Sequence, residues 1–374
     1  MVKLDHPYSP LCENLTVMIL TFDRPKALLR QLDMLRNFPG PVIVLDGGSS
    51  TSIDSSSYLK PSNLRYVKAN HFYERFSEAG RMLTTKYALT FTDDDLLVPS
   101  GINKLMEEIT SQSATDSVFG RMLYAYPLKH SWGFKIWNPN YASLQERSIS
   151  SDNPDIRAIT HFSNYVSTYY YSIMREDVWR STFSKLKLPD EDLFINPYST
   201  ELAYEFLGAR AGTSKILPVL CGIRVKDHKP TWVNINESER KPVYMYQWLN
   251  DNKFKKSVED YKSAIVQASD KLNSGEPIKQ VLEKSLLMYS KVEQKTTKNS
   301  FVLDLLNKKT KKIFTLSNLK IFIEVLLIRM NLRLFLTRFK SYTIEKELVS
   351  YSITFNQKEI CEIISLFFND FKVR

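Results

Sequence analysis

The chain has 374 residues, 43% hydrophobic and 12% aromatic, enough to bury a large core beside a smaller second unit. No apolar run reaches the ~20 residues of a bilayer span, and residues 1–6 (MVKLDH) lack the apolar stretch of a signal peptide. The three cysteines, Cys12, Cys221 and Cys361, are too scattered for a disulfide framework or a zinc cluster, so a cytoplasmic location is expected. The net charge of +10 is concentrated: residues 308–340 hold nine basic residues and one acid. The remainder is nearly neutral, which argues against a nucleic-acid partner.

Residues 15–22 (LTVMILTF) are a continuous apolar run, the pattern of a strand buried on both faces. Arg24-Pro25 ends it, and residues 26–37 carry Leu28, Leu29, Leu32 and Leu35 at helical spacing. Residues 41–45 (PVIVL) read as a second strand, stopped by Asp46-Gly47-Gly48, and residues 64–67 as a third. A helix over 74–86 and a fourth strand over 87–92 follow. Such an order describes an α/β fold with an open, mostly parallel sheet flanked by helices, whose ligands bind beyond the carboxyl ends of the strands. Residues 119–175 are rich in aromatics and mix strands with loops; 199–211 read as a helix and 215–225 as a strand. From about 241 the composition turns helical and Lys-rich. The chain therefore divides into a sheet domain, 1–240, and a helical, basic C-terminal region, 241–374. The polar stretch 291–300 (KVEQKTTKNS) is the expected linker.

The fourth strand runs straight into Asp93-Asp94-Asp95. Three like charges together cost free energy unless something positive sits among them. On an extended backbone Asp93 and Asp95 would share one face and Asp94 the other. Two hard oxygen donors at a strand end suit Mg²⁺ or Mn²⁺ carrying a substrate diphosphate. Acidic turns, helix N-caps and Ca²⁺ loops present the same residues.

Residues 16–25 (TVMILTFDRP), followed by 42–50 (VIVLDGGSS), resemble the opening of the family 2 glycosyltransferases, and the acidic triplet falls where that family carries Asp-x-Asp. Residues 83–89 (LTTKYAL), then Arg157, Tyr165, Tyr169-Tyr170-Tyr171-Ser172, Arg175-Glu176, Thr200-Glu201 and Gly212-x-x-Lys215, are similar in order to a bacterial branch that builds surface polysaccharide. The resemblance covers roughly residues 15–235. It implies a GT-A fold and a metal-dependent, inverting transfer of a sugar from a nucleotide-diphosphate sugar to a glycan or lipid-linked saccharide acceptor. It implies donor nucleotide contacts from the chain around Thr21, Phe22 and Arg24, and from Asp46 and Asp94. Asp93 and Asp95 would hold Mn²⁺ or Mg²⁺, with His228 as a third ligand. Glu201 would be the base that deprotonates the acceptor hydroxyl, one methylene longer than the Asp that closes the family's Glu-Asp pair.

Each assignment has a plainer alternative. Asp46 before Gly-Gly is a turn former. Glu201 near a helix start is a dipole partner, and Asp190-Glu191-Asp192 is a rival base. Arg81 reads better as an exposed helical residue than as a phosphate contact, and a lone histidine such as His228 is usually no ligand. Trp132 and Trp137 either stack on acceptor sugars or belong to the core.

In the basic segment, Lys320, Glu324, Asn331 and Arg338 fall on one helical ridge, with Arg329, Arg333 and Lys340 nearly opposite. Two polar ridges favour packing within or between subunits over a one-sided membrane helix. The positive charge would still draw the chain toward the anionic cytoplasmic face of the inner membrane. Two rival functions share the plan. A sugar-nucleotide nucleotidyltransferase would need a Gly-rich basic loop after the first strand, which residues 21–25 (TFDRP) lack. A non-catalytic glycan-binding subunit would have no reason to keep Asp93, Asp95 and Glu201 together.

Overall fold

Apolar and β-branched residues make β1 (Leu15–Thr21), which is buried along its whole length. A left-handed backbone at Asp23, φ 51°, turns the chain out of the sheet, and Pro25 opens α1 (Pro25–Met34) at the position where a missing N–H costs nothing. Then come β2 (Val42–Asp46), β3 (Leu64–Lys68), α2 (Phe72–Met82) and β4 (Tyr87–Thr92). The computed structural model describes residues 8–48, 63–112, 114–127, 134–137, 147–188, 198–225, 243–269, 277–310, 359 and 363. Strands β3, β2, β1 and β4 pair in parallel in that order. The register sets Thr21 beside Asp46 and Leu20 beside Thr92, so three carboxyl ends lie level.

The second half of the sheet is mixed. It comprises β5 (Asp95–Leu97), α3 (Pro99–Ser111), β6 (Ser117–Pro127), β7 (Phe134–Trp137), β8 (Arg147–Ile149), α4 (Pro154–Ser163), β9 (Ile173–Arg175), α5 (Glu176–Trp179), α6 (Ser199–Ala211) and β10 (Ser214–Val225). Strand β9 joins the halves, antiparallel to both β4 and β6. Strands β6 and β10 are parallel, and β5 pairs antiparallel on β10, with Asp95 opposite Arg224. Gly101 lets α3 settle onto β10, since a Cβ there would overlap the Leu220 carbonyl oxygen.

Helix α6 is buried on nearly every side, from Leu202 to Arg210, as a central helix must be if it is apolar all round. The helices α7 (Met245–Asn250), α8 (Lys255–Ser269) and α9 (Ile278–Thr310) pack over α4 and α6. Trp248, Tyr261, Ile265, Val281 and Leu286 join the same apolar core as β1 and β2, and the Tyr261 hydroxyl donates to the Ser199 carbonyl at 2.8 Å. The expected linker over 291–300 lies inside α9. Its Lys, Glu and Gln residues are helix formers, and no Gly or Pro interrupts them.

Glu359 meets the start of α3, where its carboxylate accepts the Ser100 N–H at 2.8 Å and the Ser100 hydroxyl. The expected boundary near residue 240, the acidic cluster Asp190-Glu191-Asp192, Trp132, His228 and the ridges over 320–340 lie outside the described residues. No described helix is long and apolar enough to cross a membrane.

Candidate active site

The chain does not stay extended through the acidic triplet. Asp93 and Asp94 form a turn between β4 and β5, so the expectation that Asp93 and Asp95 share one face is corrected. Asp93 turns back to β1: its Oδ2 accepts the Thr21 hydroxyl at 2.7 Å and its Oδ1 accepts Arg24 at 3.2 Å. Asp95 instead faces β10, where the Arg224 fork meets Oδ1 at 2.7 Å and Oδ2 at 3.0 Å. Asp94 pairs with Arg24 at 3.3 Å, and the Thr92 hydroxyl lies 2.6 Å from both Asp94 and Asp95.

Two guanidiniums thus stand against three carboxylates. Burial pushes Asp93 up to about 7 against the pull of Thr21 and Arg24. Asp95, fully buried, is also raised by burial although Arg224 opposes the shift. Arg24 holds Asp93 and Arg224 holds both oxygens of Asp95, so the two carboxylates as placed do not form a shared cation site. Among the described residues, no three His, Cys, Asp or Glu side chains converge on one point.

At the level ends of β1 and β2, Thr21 accepts the Gly47 N–H at 3.1 Å. Asp46 does act as a turn former: its Oδ1 accepts the Gly48 N–H at 2.8 Å, while Tyr66 donates its hydroxyl to Oδ2. The Arg75 guanidinium lies buried under this turn, where a Cβ on Gly47 would come within 2.5 Å of it. Phe22 is 38% exposed at the edge of the same turn.

Glu201 lies in the first turn of α6, and Tyr165 donates its hydroxyl to Oε1 at 2.9 Å. Burial raises the Glu201 carboxyl above its usual range, with the nearby Glu205 adding to the shift. One helical turn on, fully buried Glu205 accepts the Ser167 hydroxyl at 3.0 Å and the N–H groups of Thr168, Tyr169 and Tyr170 at 3.1, 3.1 and 2.8 Å. His161 Nε2 stands 2.8 Å from the same carboxylate. These contacts fix the segment that carries Tyr165 against α6.

Arg224 links the two sides. Its guanidinium lies 4.5 Å over the Tyr171 ring and 5.7 Å from the Tyr124 ring centre. Its charge opposes the upward shifts of Asp95 and Glu201 alike. The structure therefore brings Thr21, Arg24, Asp46 and the triplet together at the strand ends, and Arg224, paired with Asp95, carries charge that reaches Glu201.

Sequence reasoning missed Arg224, Arg75, Tyr66 and Glu205. The available signal for Arg224 was a charged residue closing the apolar run over 216–225. Arg157, one of the residues carrying the resemblance, binds the carbonyls of Ala209 at 2.9 Å and Ser151 at 2.8 Å, which is a helix-end role. Arg81 is exposed and paired with Glu78. Trp137 lies on β7, paired with Tyr124.

No family model matches the chain, and no curated protein matches it. Among solved structures it is similar to residues 1–349 of TarS from S. aureus, at 13% identity and a TM-score of 0.41, covering 76% of this chain and 91% of that one. The same TarS fragment in complex with UDP-GlcNAc aligns at 13% identity and a TM-score of 0.43, covering 76% and 92%. A longer TarS structure aligns at 14% identity and 0.40, covering 75% of this chain and 55% of that one.

Proposed function

We propose that the chain is a GT-A-type glycosyltransferase that moves a sugar from a nucleotide-diphosphate donor to a saccharide acceptor in surface-polysaccharide synthesis. The observation that carries this reading is the convergence at the strand ends. A turn suited to a nucleoside lies at Thr21 and Asp46, an acidic triplet framed by Arg24 and Arg224 lies beside it, and the Arg224 charge reaches a raised carboxyl, Glu201. Open α/β sheets bind ligands at this place.

In the proposed reaction the acceptor oxygen attacks the anomeric carbon and its proton passes to Glu201. The bond from that carbon to the diphosphate oxygen breaks, and the nucleoside diphosphate leaves with the bond's electrons. Attack opposite the leaving group inverts the anomeric centre. A raised carboxyl suits a base that must take a proton near neutral pH, and the Tyr165 hydroxyl donates to its Oε1 at 2.9 Å. Arg24 and Arg224 supply positive charge beside the departing diphosphate. Mn²⁺ or Mg²⁺ would have to displace Arg24 from Asp93 and Arg224 from Asp95 to be held there; when bound it would add charge that favours departure.

A thermal-shift series with UDP, GDP, CDP and ADP, with and without Mn²⁺, tests the reading. A ligand that binds only the native state must raise the melting temperature. One nucleoside diphosphate should do so, and more strongly with Mn²⁺. No shift with any of the four would overturn the proposal.

A further inference from the structure

We propose that Tyr198, Tyr244 and Tyr246 form the platform on which the acceptor saccharide lies, with buried Glu293 holding the Tyr244–Tyr246 pair in place. This rests on the glycosyl-transfer reading of the neighbouring Glu201. Tyr198 immediately precedes α6, three residues before Glu201, and is 43% exposed; Tyr244 is exposed to the same extent. Neither belongs to the apolar core.

The groups form one neighbourhood. The Tyr198 phenol is raised first by burial and then by the charges of Glu201 and Glu293 and the nearby Tyr244. Tyr289 on α9, one helical turn before Glu293, is raised first by burial and then by Glu293, Glu201 and Tyr198, and its ring meets Tyr165 edge-on at 4.9 Å. Tyr244 and Tyr246 lie nearly parallel, with ring centres 5.7 Å apart and planes at 12°. The Tyr246 N–H donates to Glu293 Oε2 at 3.1 Å, so α9 fixes the pair from below.

Two exposed tyrosines beside a general base suit one class of ligand. The C–H face of a pyranose packs on an aromatic ring, and a phenol both donates to and accepts from its hydroxyls. The donor side of the site is built from strand ends in the first half of the chain, and this surface comes from α6, α7 and α9. The acceptor would therefore reach Glu201 from the helical side, with the donor held on the sheet side.

The test is saturation-transfer NMR on the full chain with methyl β-glucoside, methyl β-galactoside and N-acetylglucosamine at millimolar concentration. UDP is present throughout as the donor-side probe. At least one sugar should receive saturation. Tyr198→Ala and Tyr244→Ala should each lose about tenfold in sugar affinity, Tyr198→Phe should keep most of it, and Glu293→Ala, which frees the Tyr246 N–H, should weaken it. The UDP signal should be equal in all variants, and melting curves confirm that each is folded. Equal sugar binding by Tyr198→Ala and Tyr244→Ala would overturn the proposal, as would no sugar binding by a chain that binds UDP. If UDP fails to bind as well, and GDP, CDP and ADP likewise, the glycosyl-transfer reading falls with it.

Discussion

Asp95 is fully buried against Arg224, a residue 129 positions away in sequence. Removing one member of such a pair leaves an uncompensated charge, typically at a cost of about 3–5 kcal/mol. Arg224→Gln should lose stability on that scale in urea unfolding, and Asp95→Asn in the same chain should restore part of it. Asp93 gives a pH signature. Its pKa rises from 3.8 unfolded to about 7 folded, so between those values the native state holds more protons than the unfolded one. That contribution is complete below pH 3.8 and is lost as pH rises through 7. The wild-type melting temperature should fall from pH 5 to pH 8, and Asp93→Asn should flatten the fall. At Glu201 the test is kinetic: Glu201→Gln should lower kcat about 10²–10⁴-fold with donor KM little changed. The carboxylates of the site were legible in the sequence because three adjacent Asp residues after an apolar strand are chemically distinctive. Arg224 was not, because its role comes from the β5–β10 register, which no local pattern encodes.

At the scale of elements, continuous apolar runs were the readable signal. Strands β1, β2 and β4 lie where the runs over 15–22, 41–45 and 87–92 place them, and α6 and β10 lie over the expected 199–211 and 215–225. The turn at Asp93 and Asp94 was not readable, because the next apolar residues, Leu96 and Leu97, look like a continuation of the strand. They form the separate strand β5, which leaves β4 for β10. Polarity alone suggested a linker over 291–300, whereas residues without helix breakers can continue a helix whose apolar face begins earlier, at Val281, Leu282 and Leu286. The contact of α3 with β10 makes a prediction at this scale. Gly101→Ala would drive a methyl into the Leu220 carbonyl, and overpacking of this kind costs about 1–3 kcal/mol or more. Because β10 carries Arg224, nucleoside diphosphate affinity should fall together with the melting temperature.

Across the whole molecule, the helical region is a structural wall of the site. Trp248 and Tyr261 are fully buried, their ring centres 5.1 Å apart, and Tyr289 presses on the tyrosine that holds Glu201. Trp248→Ala should cost about 3–5 kcal/mol, and tryptophan fluorescence and far-ultraviolet circular dichroism should still report one shared transition. The convergence of sheet ends, arginine-framed triplet and raised carboxyl makes glycosyl transfer the central claim. Its most direct measurement is release of nucleoside diphosphate from UDP-glucose, UDP-galactose, UDP-N-acetylglucosamine, GDP-mannose and dTDP-rhamnose, each incubated with bacterial surface glycan and either wild-type chain or Glu201→Gln. Wild type should consume one of these donors and release its diphosphate, and Glu201→Gln should bind that donor but release almost none. Release at equal rates by both chains, or from no donor at all, would contradict it.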